Sequence, residues 1–435
     1  MADARTQATR LDAIEGRFDP WLVGATLALA CLGVVMVGSS SIAIAEAHGQ
    51  GPFHFLSRHV VLLLVGAGLA AWVMRTELKS VEQHDRLLLL GCFAALVVVF
   101  APGIGHTVNG AQRWIGFGGQ TFQVVEAVKL MYIVWLASYL KRFAEEVTAT
   151  WPAMLKPLFV AGGLVVLLLL QPDFGSASLL LAITAGMLVL GGVNMPRMFA
   201  PVLVGLPLLA IVAIAEPYRM QRLTTFMDPW ADPFGSGYQL TNALMAVGRG
   251  EWFGVGLGGS IQKLSYLPEA HTDFILAVIG EELGFVGVCA VIGLYAIVVG
   301  RALRIGLHCV EMRRHFAGYT AFGIALWIGL QSFVSIGVNL GLLPTKGLTL
   351  PLVSYGGSSV VLTCAAFGLL LRISYELDRA QRQVARLRGD AAVPAVATTS
   401  ATGTPPAAPP APGPLGVRAV GRTRQRVEPV FGRPG

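Results

Sequence analysis

The chain has 435 residues, 54% of them hydrophobic and only 13% charged, with a formal net charge of +7. Its mean hydropathy of +0.65 lies far outside the range of a soluble domain of this length and identifies a polytopic membrane protein. The positive balance comes largely from Lys and Arg that flank apolar runs, so it gives no support to nucleic-acid binding.

Residues 1–19, MADARTQATRLDAIEGRFD, read as a cytoplasmic segment with acids and Arg but no cleavage-site pattern after the apolar run that follows, which excludes a signal peptide. From there to residue 375, runs able to cross about 30 Å of hydrocarbon at about 1.5 Å per residue recur. About ten spans are predicted, at 20–42, 59–75, 86–101, 122–140, 154–170, 174–191, 198–215, 272–300, 316–338 and 350–373. The fold class is therefore all-α polytopic membrane protein, with both termini on one side. If that side is cytoplasmic, 19 Lys and Arg fall in inner segments and 7 in outer ones, which gives an N-in/C-in topology.

Polar residues inside this apolar chain mark the places where chemistry or structure needs them. In the fourth span, Glu126 and Lys129 are three apart, on one helix face, and can form an intramembrane ion pair, either structural or functional. Between spans five and six, QPDFGSA sets Asp173 in a short outer turn, where an ordinary turn acid is the alternative. The seventh and eighth spans are joined by a long outer loop, 216–271, whose aromatic and apolar content predicts an ordered segment with short helices.

The stretch YLPEAHTDFILAVIGEELGFVG opens the eighth span with Glu269, His271, Asp273, Glu281 and Glu282. Asp273, Ala277, Gly280, Gly284 and Gly287 follow helical steps and predict one stripe, small below and acidic on top, facing another helix. A helix cap or dipole partner is the alternative for Asp273. The last outer turn and tenth span, NLGLLPTKGLTLPLVSYGGSS, interrupt an apolar helix with Pro and Gly, which requires protein or water to satisfy freed backbone groups. Lys346, Ser354 and Ser358 are candidates to line such a cavity, or else are satisfied within the helix. None of the 5 cysteines falls in an outer loop, so no disulfide is indicated, and the 8 histidines show no metal-ligand spacing. Residues 376–435 are predicted to be a basic, Pro- and Ala-rich disordered cytoplasmic tail.

NGAQRWIGFG, QPDFGSA, YLPEAHTDFILAVIGEELG and LLPTKGLTLPLVSYGGSS, in this order and between these spans, resemble the SEDS family (shape, elongation, division and sporulation) of peptidoglycan glycosyltransferases. The match covers roughly residues 20–375, and YLPEAHTDF and LPTKGLTLPLVSYGGSS look more like the cell-division branch, FtsW, than the elongation branch, RodA. The resemblance implies polymerisation of lipid II at the outer face of the bacterial cytoplasmic (inner) membrane, at the septum. It implies Asp273 as the catalytic carboxylate, Glu126 and Lys129 as an intramembrane pair, and Asp173 as a further functional acid. Where the family has Q-P-S-E before that pair, this chain has Gln123, Val124, Val125, Glu126. It further implies a class B penicillin-binding transpeptidase (FtsI-like) and divisome regulators as partners.

Glycosyl transfer from a lipid pyrophosphate needs a base for the acceptor hydroxyl and positive charge for the leaving group. Asp273 is the candidate base; Arg113, Lys129, Arg219, Arg222, Lys263 and Lys346 are candidates for the phosphate side, with His271 close to the acid in sequence. Mg²⁺ or Mn²⁺ would suit the pyrophosphate, and no organic cofactor is expected. A lipid II flippase and a RodA-like elongation polymerase are the rival readings.

Overall fold

The computed structural model describes residues 15–108, 111–117, 120–264 and 266–392. In chain order the elements are α1 (Pro20–Ala47), α2 (His54–Arg75), α3 (Leu78–Gln83), α4 (Asp85–Val98), β1 (Gly105–Val108), β2 (Ala111–Phe117) and β3 (Gln120–Gln123). There follow α5 (Val124–Arg142), α6 (Ala144–Ala149), α7 (Trp151–Leu170), α8 (Phe174–Leu190), α9 (Met195–Ile214), α10 (Pro217–Met227) and α11 (Tyr238–Arg249). The last three are α12 (Ile275–Glu311), α13 (His315–Asn339) and α14 (Gly357–Ala392). A helix occupies each of the ten segments read as spans, and 7 of these helices are long and apolar enough to cross a membrane. Most of the predicted tail, from residue 393 onward, lies outside the described residues. Its first part, 376–392, continues α14 as helix and so corrects the expected boundary.

Local chemistry sets the helix starts. Asp19 caps α1, its Oδ1 accepting from Leu22 N at 3.0 Å, with Pro20 at the first helical position. Asp173 caps α8 through Ser176 N at 3.1 Å and Ser176 Oγ at 2.8 Å. Helix α13 forms the centre of the bundle, packed against α5, α8 and α12, and two thirds of its apolar window is buried. Helix α9 is the opposite case, with 6% of its window buried and Phe199, Leu203 and Val204 exposed, the surface expected to face lipid.

The ion pairs and polar contacts between elements respect the topology read from charge. On the inner side Arg301 pairs with Asp19, Arg142 with Asp85, and Arg314 with Glu376, while Asp19 N reaches Ser374 Oγ. On the outer side Arg113 reaches the carbonyls of Gln171 and Pro172, Arg222 that of Thr345, and Tyr355 N the carbonyl of His271. The bundle therefore closes each face with residues assigned to that face.

Two further features depart from the sequence reading. The outer connection between α4 and α5 is a three-stranded antiparallel sheet in the order β1-β2-β3, with Trp114 opposite Gln123 and Ile115 opposite Phe122. The eighth span is not one continuous helix. Gly284 has φ 67° and ψ −166°, a conformation open to glycine, and breaks α12 nine residues after its start. The predicted stripe through Gly284 and Gly287 therefore does not run along a single helix.

Candidate active site

The break in α12 frees backbone groups near the outer edge of the hydrocarbon, where unsatisfied amides and carbonyls are costly. The outer loop supplies their partners. Val255 N donates to Glu281 O at 2.9 Å and Gly256 N to Glu282 O at 3.1 Å, while Phe285 N donates to Glu251 O at 2.9 Å and Val286 N to Trp252 O at 3.1 Å. Gly254 and Gly284 both adopt positive φ where these chains meet, and a Cβ on either would overlap the other strand's backbone.

Side chains tighten the same junction. Glu281 and Glu282 are fully buried. Glu281 accepts from Arg249 Nη1 at 2.6 Å, from Ser260 Oγ and from Ile261 N at 3.0 Å. Glu282 takes Lys263 Nζ at 2.6 Å and Ser39 Oγ of α1 at 2.7 Å, and Lys263 also donates to Ser39 at 2.9 Å. Each buried carboxylate thus has a cation and further donors, the condition for keeping charge at such depth. Lys263, a candidate for the phosphate side, is engaged in this clamp and 7% exposed.

Asp273 lies two residues before α12, outside the span, and is held by its backbone. Asn339, the last residue of α13, donates from Nδ2 to Asp273 O at 2.8 Å and accepts at Oδ1 from Ala277 N at 3.0 Å. One fully buried amide thereby fixes the chain on both sides of the helix start. The last outer turn passes over the carboxylate, since a Cβ on Gly347 would stand 3.3 Å from Asp273 Oδ2.

Desolvation by the surrounding protein pushes the half-buried Asp273 carboxyl up to about 7, and the neighbouring Glu269 adds to the rise. The charges of Arg222 and Arg113 act against it, so both guanidinium groups lie within electrostatic reach. Arg113 comes from β2 and also approaches Asp173 Oδ1 at 3.9 Å. Lys346 stands 5.2 Å above the ring of Phe174, Arg219 5.5 Å from the same ring, and burial lowers the affinity of Lys346 for its proton. The outer end of the bundle thus joins one carboxylate with a depressed tendency to ionise to a set of cations from β2, α10 and the last outer turn. Such a group can accept a proton near neutral pH while the cations hold a polyanion.

Other predicted residues are placed as follows. His271 is buried among Phe55 and Tyr355, with ring centroids at 5.0 and 5.4 Å, and burial lowers its pKa to about 4, with a smaller push from His48. It is therefore neutral at physiological pH, and its carbonyl anchors Tyr355 N at 2.9 Å. Ser354 Oγ accepts from Leu350 N at 2.9 Å and Ser358 Oγ from Gln123 N at 3.0 Å, so both hydroxyls tie down backbone. Glu126 and Lys129 form the expected pair at 2.8 Å in the core. Lys129 also donates to Gln331 Oε1 at 2.7 Å and lies 4.9 Å from the Trp327 ring, while Gln331 Nε2 reaches Thr349 O at 2.9 Å. The pair is thereby wired to the backbone of the last outer turn, three residues from Lys346.

The sequence reading did not single out Asn339, Gln331, Ser39, Arg249 or Ser260. A polar residue ending or interrupting an apolar span was the available signal for Asn339 and Gln331. Ser39, Arg249 and Ser260 gave none, because their partners are remote in sequence.

A family model described as "Cell cycle protein" (FtsW/RodA/SpoVE) matches residues 20–379. The chain belongs to the FtsW/RodA/SpoVE family. Within it, the chain is 66% identical over 387 residues to a Xanthomonas oryzae protein named "Probable peptidoglycan glycosyltransferase FtsW", covering 89% of this chain and 79% of that one. A Legionella pneumophila protein of the same name is 49% identical, covering 82% of this chain and 91% of its own. Among solved structures, a chain from work on the structural coordination of polymerization and crosslinking by a peptidoglycan synthase complex aligns with TM-score 0.68 and 30% identity, over 83% of this chain and 98% of that one. The Thermus thermophilus rod shape determining protein RodA aligns with TM-score 0.58 and 28% identity, over 82% and 96%. The FtsW/RodA/SpoVE fold thus extends over the entire membrane region of this chain.

Proposed function

We propose that this chain is a peptidoglycan glycosyltransferase of the FtsW type, which polymerises lipid II into glycan strands at the outer face of the cytoplasmic membrane during septal wall synthesis. Its family and the names of its relatives support the activity. The observation that carries the mechanism is the half-buried Asp273, shifted toward neutral protonation and bordered by Arg113 and Arg222.

In this reading Asp273 removes the proton from the acceptor sugar hydroxyl as its oxygen attacks the anomeric carbon of the donor. The bond from that carbon to the pyrophosphate oxygen breaks, and the lipid pyrophosphate leaves. Arg113, Arg222 and Lys346 stabilise the charge that develops on it. An α-linked donor giving a β-linked product needs one inversion, so one carboxylate suffices and no glycosyl-enzyme forms. Asn339 and Glu269 act on Asp273, the first through its backbone and the second through its proton affinity. Mg²⁺ or Mn²⁺ would be held by the donor pyrophosphate with one or two carboxylates, Asp173 and Asp273 being those at this end of the bundle, and not by a protein cage, since among the described residues no three His, Cys, Asp or Glu side chains come together.

A class B penicillin-binding protein is the proposed partner, because the chain makes strands that another active site must crosslink. The outer loop is bonded to both sides of the α12 break, so a partner that moves the loop would move Asp273 as well, and activity should rise with the partner bound. Incubating the purified protein with purified lipid II, alone and with the partner, and resolving the products by gel tests the reading. Glycan strands that lengthen with time are expected. Transport of lipid II without polymer in either condition would replace the enzyme by a flippase.

A further inference from the structure

At the end of the bundle opposite Asp273, a cavity of about 660 Å³ opens between the start of α1, the end of α12 and the inner part of α14. Arg17, Asp19, Arg301, Arg304, His308 and Asp378 line it, together with the buried Ile305 and Leu377. Both acids are already matched. Asp19 receives Arg301 Nε at 3.0 Å, and Asp378 receives Arg382 Nε at 2.6 Å and the backbone amide of Arg17 at 2.8 Å. The guanidinium groups of Arg17 and Arg304 and the ring of His308 have no ion pair or hydrogen bond among the described residues. Arg301, Arg304 and His308 recur at helical spacing, so α12 turns one basic face toward the cavity.

Depth identifies what can reach it. Phe18, which lines the cavity, and Trp21 are 46% and 64% exposed where the first span begins, the position of an aromatic belt at the membrane–water interface. The cavity therefore stands at headgroup level of the inner leaflet, with Phe18, Ile305 and Leu377 as apolar parts of its lining. Basic pockets between spans on the cytoplasmic side are suited to anionic headgroups, and the guanidinium forks of Arg17 and Arg304, unpaired among the described residues, match the oxygens of a phosphodiester. We infer that this cavity is a binding site for an anionic phospholipid of the inner leaflet, whose headgroup phosphate bridges Arg17 and Arg304. The bound lipid ties the inner ends of α1, α12 and α14 together, and α12 is the helix that follows Asp273.

The test is native mass spectrometry of the full chain released from detergent micelles after titration with dioleoyl phosphatidylglycerol, dioleoyl phosphatidylethanolamine or inorganic phosphate. Phosphatidylglycerol should bind in preference to phosphatidylethanolamine, and inorganic phosphate should fail to displace it. Arg17→Gln combined with Arg304→Gln should weaken phosphatidylglycerol binding by about tenfold and leave phosphatidylethanolamine unchanged. Lys79→Gln, which removes an exposed inner-side cation outside the cavity, should match the wild type. If the double variant fails to fold, Arg304→Gln alone should still weaken binding severalfold. Equal binding of the two lipids, full displacement by inorganic phosphate, or wild-type phosphatidylglycerol binding by the Arg variants would each overturn the proposal.

Discussion

Replacing Asp273 by Asn keeps the side chain's size and removes its charge, so its effect on stability reads directly on the environment of the acid. A carboxyl whose pKa rises from 3.8 to about 7 on folding binds its proton more tightly in the folded protein. Its contribution to stability is complete below the unfolded value and is lost as pH rises toward 7, after which the ionised form is carried at a cost. At about 1.4 kcal/mol per tenfold change in proton affinity, the cost at and above pH 7 is about 4 kcal/mol at most. Asp273→Asn removes that cost, so the variant should be more stable than the wild type, and the advantage should grow by about 2–3 kcal/mol between pH 5 and pH 8. Thermal unfolding of both purified proteins in the same detergent, followed by tryptophan fluorescence across that range, gives the comparison. A difference between variant and wild type that stays flat with pH, or a variant less stable at pH 8, would refute the desolvated-acid reasoning.

Lys129→Ala should destabilise by about 3–5 kcal/mol, because it leaves Glu126 and Gln331 buried without their cation, whereas adding Glu126→Ala should recover much of that loss. A double variant that regains its thermal stability but not its polymerisation would put the pair in substrate handling. Glu269→Gln should move the rise of polymerisation rate to lower pH and Arg113→Gln should move it to higher pH, since the first raises and the second lowers the proton affinity of Asp273. Rate measurements against pH on matched amounts of enzyme check both directions. Asn339→Ala leaves Asp273 O and Ala277 N without their buried partner, so it should cost roughly 2–4 kcal/mol in thermal stability and lower the rate at saturating lipid II more than lipid II binding.

The sequence made much of the architecture legible because lipid imposes a simple rule on it. Apolar length located the ten spans, in each of which the structure builds a helix, though not the short helices α3 and α6 between them, and Lys and Arg counts sorted the loops into the two faces that the inter-element contacts respect. Asp173, Glu126 and Lys129 were visible because a polar residue in such surroundings needs a partner. What stayed hidden depends on long-range closure. Gly284 read as one of several small residues on a stripe, and only the loop at 251–256, which bonds both sides of it, turns it into a break. Glu282 meets Ser39, 243 positions away, a pairing that no local pattern encodes. The sheet over 105–123 escaped because its strands of 4 and 7 residues are too short for a clear alternation of apolar and polar residues.

Polymerisation of purified lipid II by the wild type and by Asp273→Asn, each with and without a class B penicillin-binding protein and at matched amounts of folded enzyme, tests the central claim most directly. Glycan strands from the wild type, more of them with the partner, and none from the variant in either condition are the predicted result. Strands formed by the variant at the wild-type rate would remove Asp273 as the base and contradict the account.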